Sequence, residues 1–181
     1  MPQPPKKAAP TKRPAKKKAS AQSRKPPQIV PIGQGSSQYL RMLVYGPPGT
    51  GKTRFLGSAP NSLMLEADQG GDASAALSGS TADKWELKDW NDQADAIGYL
   101  QHGGAREYEF VTLDTITMFQ DSGLVNIMDD LHAQKPNRAV WLPDKGEYGQ
   151  NMNRVLRFVR DLVALPCHVI VAAHVLESVD H

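Results

Sequence analysis

The sequence predicts an α/β domain: a parallel sheet with helices packed on both of its faces. Three observations carry that prediction. Four short runs, YLRMLVY (39–45), SLMLEAD (62–68), YEFVTLD (108–114) and CHVIVAAHV (167–175), are largely apolar. Helix-spaced apolar residues separate the third from the fourth, and a glycine-rich segment, GPPGTGKT, follows the first. Strands covered on both faces show little polar alternation, which is how these runs read.

Taken in order, the first run ends at Gly46 and the second is entered through Pro60-Asn61. Asn91 is placed to cap a short helix through Tyr99 and Leu100. Leu124, Ile127, Met128 and Leu131 recur at helical spacing, as do Met152, Val155, Leu156, Val159, Leu162 and Val163. Trp85 and Trp90, in KWELKDW, read as packing residues at a sheet edge or on the following helix. No internal repeat is present.

The chain has 181 residues and a formal charge of +2, a length that fits one core of ordinary size. The near-neutral charge hides a split. Residues 1–27 hold nine of the 21 Lys and Arg, seven of the 14 Pro and no acid. The rest of the chain therefore carries 12 basic against 19 acidic side chains. We expect residues 1–36 to be a disordered Lys/Pro-rich tail, because too few apolar groups are present to offset ordering entropy. Such an arm suits phosphate backbones through counterion release, or serves only as a solubilising extension. Residues 37–181 form the expected folded domain. A single cysteine, Cys167, excludes a disulfide scaffold and a Cys-based zinc site and fits a reducing cytosol. No run approaches the roughly 18 apolar residues of a membrane helix, so a soluble, cytoplasmic chain without membrane partners is expected.

GPPGTGKT, Gly46 to Thr53, fills every position of the phosphate-loop pattern G-x-x-x-x-G-K-[ST]. Phosphate oxygens require several backbone N–H groups turned inward, so the loop must be tight and rich in glycine. Pro47 and Pro48 lack an N–H, so the cradle must come from Gly49, Thr50, Gly51, Lys52 and Thr53, with Arg54 just beyond. Lys52 is placed to reach the β- and γ-phosphates, and Thr53 to offer its hydroxyl to Mg²⁺. A helix starting here adds its positive end.

The metal of such a site calls for an acid at the end of another buried strand. Phe110-Val111-Thr112-Leu113-Asp114 supplies one in Asp114, which could also cap the helix that follows. The next residue is Thr115, not Glu, so a water-activating base must come from elsewhere. Leu65-Glu66-Ala67-Asp68 offers two carboxylates, two residues apart and on one side if the chain stays extended.

The set GPPGTGKT, LMLEAD, FVTLDT and HVIVAAH resembles the RecA-like branch of the ASCE P-loop NTPases. More narrowly, it is similar to phage-encoded RecA-like ATPases of the single-strand-annealing recombinase type. The resemblance covers residues 38 to 178. It implies the His174 strand between the Gly46 and Asp114 strands, ATP as nucleotide, Mg²⁺ as metal and self-association. It matches the catalytic acid of that branch to Asp68, a shorter side chain than the usual Glu, with Glu66 the other possibility. It also matches His174 to the polar sensor of the γ-phosphate, and we read His168 as structural.

The segment QKPNRAVWLPDKGEYGQ (134–150) interleaves Lys135, Arg138, Trp141 and Lys145, the mixture used on single-stranded nucleic acid; Trp141 could equally be a packing residue. The resemblance places DNA near such loops. The function expected is Mg²⁺-dependent ATP hydrolysis coupled to single-stranded DNA, with a nucleotide-gated binding module of little turnover as the alternative. A small-molecule kinase would require a lid with clustered arginines, which the sequence lacks.

Overall fold

A computed structural model of the chain describes residues 39–68, 70–137 and 142–175. The Lys/Pro-rich tail, Arg138 and Trp141 lie outside the described residues. The elements run β1 (Arg41–Gly46), α1 (Lys52–Gly57), β2 (Ser62–Glu66), α2 (Gly71–Ala76), β3 (Asp83–Glu86) and α3 (Asp92–Gln101). After a 3-10 turn at Gly104–Arg106 come β4 (Phe110–Asp114), α4 (Ile116–Gln134), α5 (Lys145–Val163) and β5 (His168–His174). All strand pairs are parallel, in the order β1-β5-β4-β2-β3. The His174 strand therefore lies between the Gly46 and Asp114 strands, as expected.

Strand alternation divides the core in two. Leu63, Leu65, Val111, Leu113, Val169 and Val171 share one cluster with residues of α3, α4 and α5. Met64, Ile170 and Ala172, with Met42, Val44 and Phe110 beside them, cluster with Leu56 of α1 and Ala75 of α2. Both faces are thus covered over the central strands. Coverage fails at β1, where Leu43 is 59% and Tyr45 70% exposed. The continuous apolar run of 39–45 had implied burial on both faces, but β1 is an edge strand among the described residues.

Three further readings are corrected. A fifth strand, β3, extends the sheet beyond β2 and carries Trp85, the aromatic expected at a sheet edge. Asn91 does occupy the position before α3, but its side chain caps nothing; Asp92 Oδ2 instead accepts from the backbone N–H of Lys88 and Asp89. Asn91 has helical backbone angles, which turn its side chain away from the free N–H groups a cap must reach. The cap of α4 is Thr115, not Asp114, and it accepts from Met118 N–H. Asp144 and Glu147 form a reciprocal capping box on α5. Trp90 is buried and stacks on Phe119, and His168 packs between Tyr39 and Phe110 while accepting from Leu40 N–H, a structural role.

One side chain ties the helical layer to the sheet. Arg41 donates to the carbonyls of Val163, Leu165 and Cys167, at the turn from α5 into β5. Charge-assisted bonds to carbonyls left free at a helix end are worth more than neutral ones. Arg41→Ala should therefore cost about 2 kcal/mol, read as a lower urea midpoint with an unchanged slope.

Candidate functional site

The site forms where β1, β4, β2 and β5 end together. The loop after β1 turns on Gly49 (φ 77°) and Gly51 (φ 87°), conformations that L side chains resist. Thr50 Oγ1 donates to Pro47 O at 2.8 Å and closes the turn. Lys52 begins α1, is 7% exposed, and its Nζ donates to Gly46 O and Pro47 O, each at 2.9 Å. The ammonium has a third N–H, and the loop carbonyls hold it over the cavity rather than in solvent. That cavity, about 550 Å³, is lined by Pro48 through Arg54 together with Asp68, Ser74 and His174. Arg54 is turned partly aside, donating to Ser78 Oγ at 2.7 Å.

Thr53 Oγ1 donates to Asp114 Oδ2 at 2.5 Å, so the two expected metal residues meet. Asp114 is fully buried and its other oxygen, Oδ1, has no hydrogen-bond partner. Burial pushes the Asp114 carboxyl above the ordinary carboxylate range; the Thr53 hydrogen bond opposes this, and the charges of Asp68 and Glu66 add to it. A buried acceptor with a free lone pair, next to a hydroxyl and a phosphate cradle, fits a hydrated divalent cation. Among the described residues no three His, Cys, Asp or Glu form a metal cage. The Asp114–Thr115 peptide is cis.

Glu66 and Asp68 take different positions. β2 ends at Glu66, and the N–H groups of Ala67 and Asp68 both turn onto Asp114 O, at 2.7 and 3.0 Å. The regular strand stops there, and the two carboxylates take different partners. Glu66 is buried and pairs with Lys84 of β3, Nζ to Oε2 at 3.1 Å. Asp68 lines the cavity, and its Oδ2 lies 3.4 Å from His174 Nε2. Thr117 Oγ1 accepts from His174 N–H at 2.9 Å and fixes the end of β5, while His174 Nδ1 is buried without a partner.

Sequence reasoning missed Gly71, Ser74, Thr117 and Lys84. Gly71 is a close-approach position: a Cβ there would lie 3.2 Å from Asp114 Oδ2 and 3.4 Å from Thr53 Cγ2. The Gly70-Gly71 pair just after Asp68 was the available signal. Of the expected nucleic-acid residues, Lys135 ends α4 as its C-cap and Lys145 begins α5. They border the same connection.

A phosphate loop between β1 and α1, with a buried Asp two strands away in a five-stranded parallel sheet, defines a P-loop ATPase domain. Residues 38–181 match the family model described as an AAA domain, and the chain belongs to that family. No curated protein matches it. Among solved structures it is similar to the protein described as a prototypical ATPase from the type III secretion system of pathogenic bacteria. The identity is 14% and the TM-score 0.52, over 78% of this chain and 46% of that one. The likeness is one of fold, and this chain spans less than half of that protein. Among the described residues no helix is long and apolar enough to cross a membrane.

Proposed function

We propose that this domain binds and hydrolyses ATP with Mg²⁺ and couples turnover to single-stranded DNA, in recombination, repair or replication of the phage type. The carrying observation is the convergence of Thr53, Asp68 and His174 on the Lys52 cavity, with buried Asp114 bonded to the Thr53 hydroxyl. Bound Mg²⁺ would neutralise charge on the β- and γ-phosphates. Lys52 and the loop N–H groups bind the phosphates and favour the charge that develops on the leaving group. Asp68 accepts a proton from the attacking water, and His174 orients Asp68 through Nε2. His174 thereby also faces the γ-phosphate position, so its loss can be passed along β5 to the segment beyond.

Support for DNA is the basic N-terminal sequence together with Lys135, Arg138, Trp141 and Lys145. Self-association and a bacterial host cytoplasm follow from the recombinase resemblance alone. A second reading, a nucleotide-gated binding module, is favoured by one observation. Thr115 caps α4 where many ATPases of this class carry the base, leaving a shorter Asp68 for that role.

Phosphate release from Mg²⁺-ATP, measured with and without single-stranded DNA, separates the two. Turnover raised several-fold by DNA, with an increment that shrinks as salt rises, is the expected result. ATP binding without release would reject the enzyme and leave the module.

A further inference from the structure

We infer that Lys84 is a positioning residue of the metal site: it holds Glu66 as a second acidic group toward the hydration shell of Mg²⁺. The inference rests on the Mg²⁺-nucleotide reading of the Thr53–Asp114 pair and assigns roles to two residues that reading leaves idle.

Register brings Glu66 to this place. Glu66 and Asp114 are directly paired across β2 and β4, so both carboxylates leave the sheet at the same level. Around the Cα of Gly71 their oxygens converge, since a Cβ there would lie 3.2 Å from Asp114 Oδ2 and 3.5 Å from Glu66 Oε1. A side chain at Gly71 would crowd this meeting point, with Thr53 Cγ2 3.4 Å from the same Cβ. Glu66 is 3% exposed, and it adds to the forces that raise the Asp114 carboxyl. An acidic side chain so deeply buried requires a partner.

Compensation comes from the sheet edge. Lys84 pairs in register with Met64, one step before Glu66 on the same face, and its ammonium reaches Glu66 Oε2 at 3.1 Å while the side chain stays 38% exposed. One Glu66 oxygen is thus bound by Lys84, and the other lies beside Gly71, as Asp114 Oδ2 does. This is the arrangement of an outer-shell acceptor: the cation on one oxygen sets the direction of the other. A water bound to Mg²⁺ is a strong donor, and Glu66 and the orphan Asp114 Oδ1 are the acidic acceptors the strand ends offer it. The same pairing explains why Glu66 does not compete with Asp68 for the attacking water: its carboxylate is already bound by Lys84, whereas Asp68 lines the cavity.

The test follows binding of a non-hydrolysable fluorescent ATP analogue to the whole chain as Mg²⁺ is titrated. Wild type comes first: if Mg²⁺ does not tighten its binding, the reading of the metal site fails before Lys84 is reached. If it does, Glu66→Gln and Lys84→Met should each raise the Mg²⁺ half-saturation about tenfold. Affinity without Mg²⁺ should stay as it was. Lys84→Arg should restore most of the loss, and the double variant Lys84→Met with Glu66→Gln should be no worse than either alone, because Lys84 acts through Glu66. An unchanged Mg²⁺ half-saturation in both single variants overturns the inference. So does a tighter one in Lys84→Met, which would make Lys84 only a repelling charge. Should Lys84→Met fail to fold, Glu66→Gln, an isostere, decides the matter through Mn²⁺ binding followed by electron paramagnetic resonance: weaker binding upholds the inference and unchanged binding overturns it.

Discussion

Asp114→Asn should lower ATP turnover about 100- to 1,000-fold, the usual cost of removing one electrostatic contact to a phosphoryl-transfer site. Its effect on the metal-free fold should have the opposite sign. Asp114 is fully buried, with one oxygen unpartnered, and burial is the main force raising its carboxyl above the ordinary range. For a carboxyl raised on folding, the stabilising contribution is fully present below the unfolded value. It is lost as pH climbs from that value through the raised one. Above this window wild type keeps a buried charge without a counter-ion, whereas Asn still accepts from Thr53 Oγ1 and carries none. Melting in chelator should therefore show the variant at least as stable as wild type at neutral pH, with the advantage vanishing in acid. Excess Mg²⁺-nucleotide should reverse the order, because only wild type gains the metal. A variant less stable than wild type in chelator at every pH would show that Asp114 is held by contacts a neutral amide cannot replace.

Why this acid was legible from sequence and its neighbours were not has a physical basis. The phosphate loop is a local device: each position of Gly46 to Thr53 answers to a backbone or charge requirement that spacing alone expresses. Asp114 is nearly as plain, because a carboxylate ending an apolar strand needs a reason to be there. β3 is different. DKWE offers one aromatic among charged residues, since an edge strand pairs on one side only and its outward positions remain polar. The separation of Glu66 from Asp68 depends on where β2 ends. That end is set by two N–H groups closing on Asp114 O, a contact across 46 or more residues that no local pattern encodes. Lys84 lies further still from such patterns, because it is recruited by strand register. The exposure of Leu43 and Tyr45 likewise reflects position in the sheet order, whereas the run itself looked like any interior strand.

Asp68→Asn carries the other large effect: turnover should fall between about 100- and 10,000-fold, with nucleotide affinity within a factor of two. The geometry makes this a sharp choice. Asp68 lines the phosphate cavity and stands 3.4 Å from His174 Nε2, whereas Glu66 is buried and bound to Lys84. An amide keeps the shape and the contact to His174 but cannot take a proton from water, so the loss should appear in kcat and not in binding. Asp68→Glu extends the carboxylate by one methylene toward the position usual in the RecA pattern. It should retain turnover and could exceed wild type if the short side chain is what slows the reaction. His174 acts through Asp68 and through its own reach toward the γ-phosphate, so His174→Gln, which keeps a donor, should be mild. His174→Ala should cost about tenfold and also weaken any response of turnover to DNA. The decisive comparison is Asp68→Asn against Glu66→Gln at saturating Mg²⁺. If Glu66→Gln abolishes turnover and Asp68→Asn leaves it intact, the base is Glu66. The Lys84 pair would then have to open during each cycle, because a carboxylate locked to an ammonium at 3.1 Å cannot collect the proton of an attacking water.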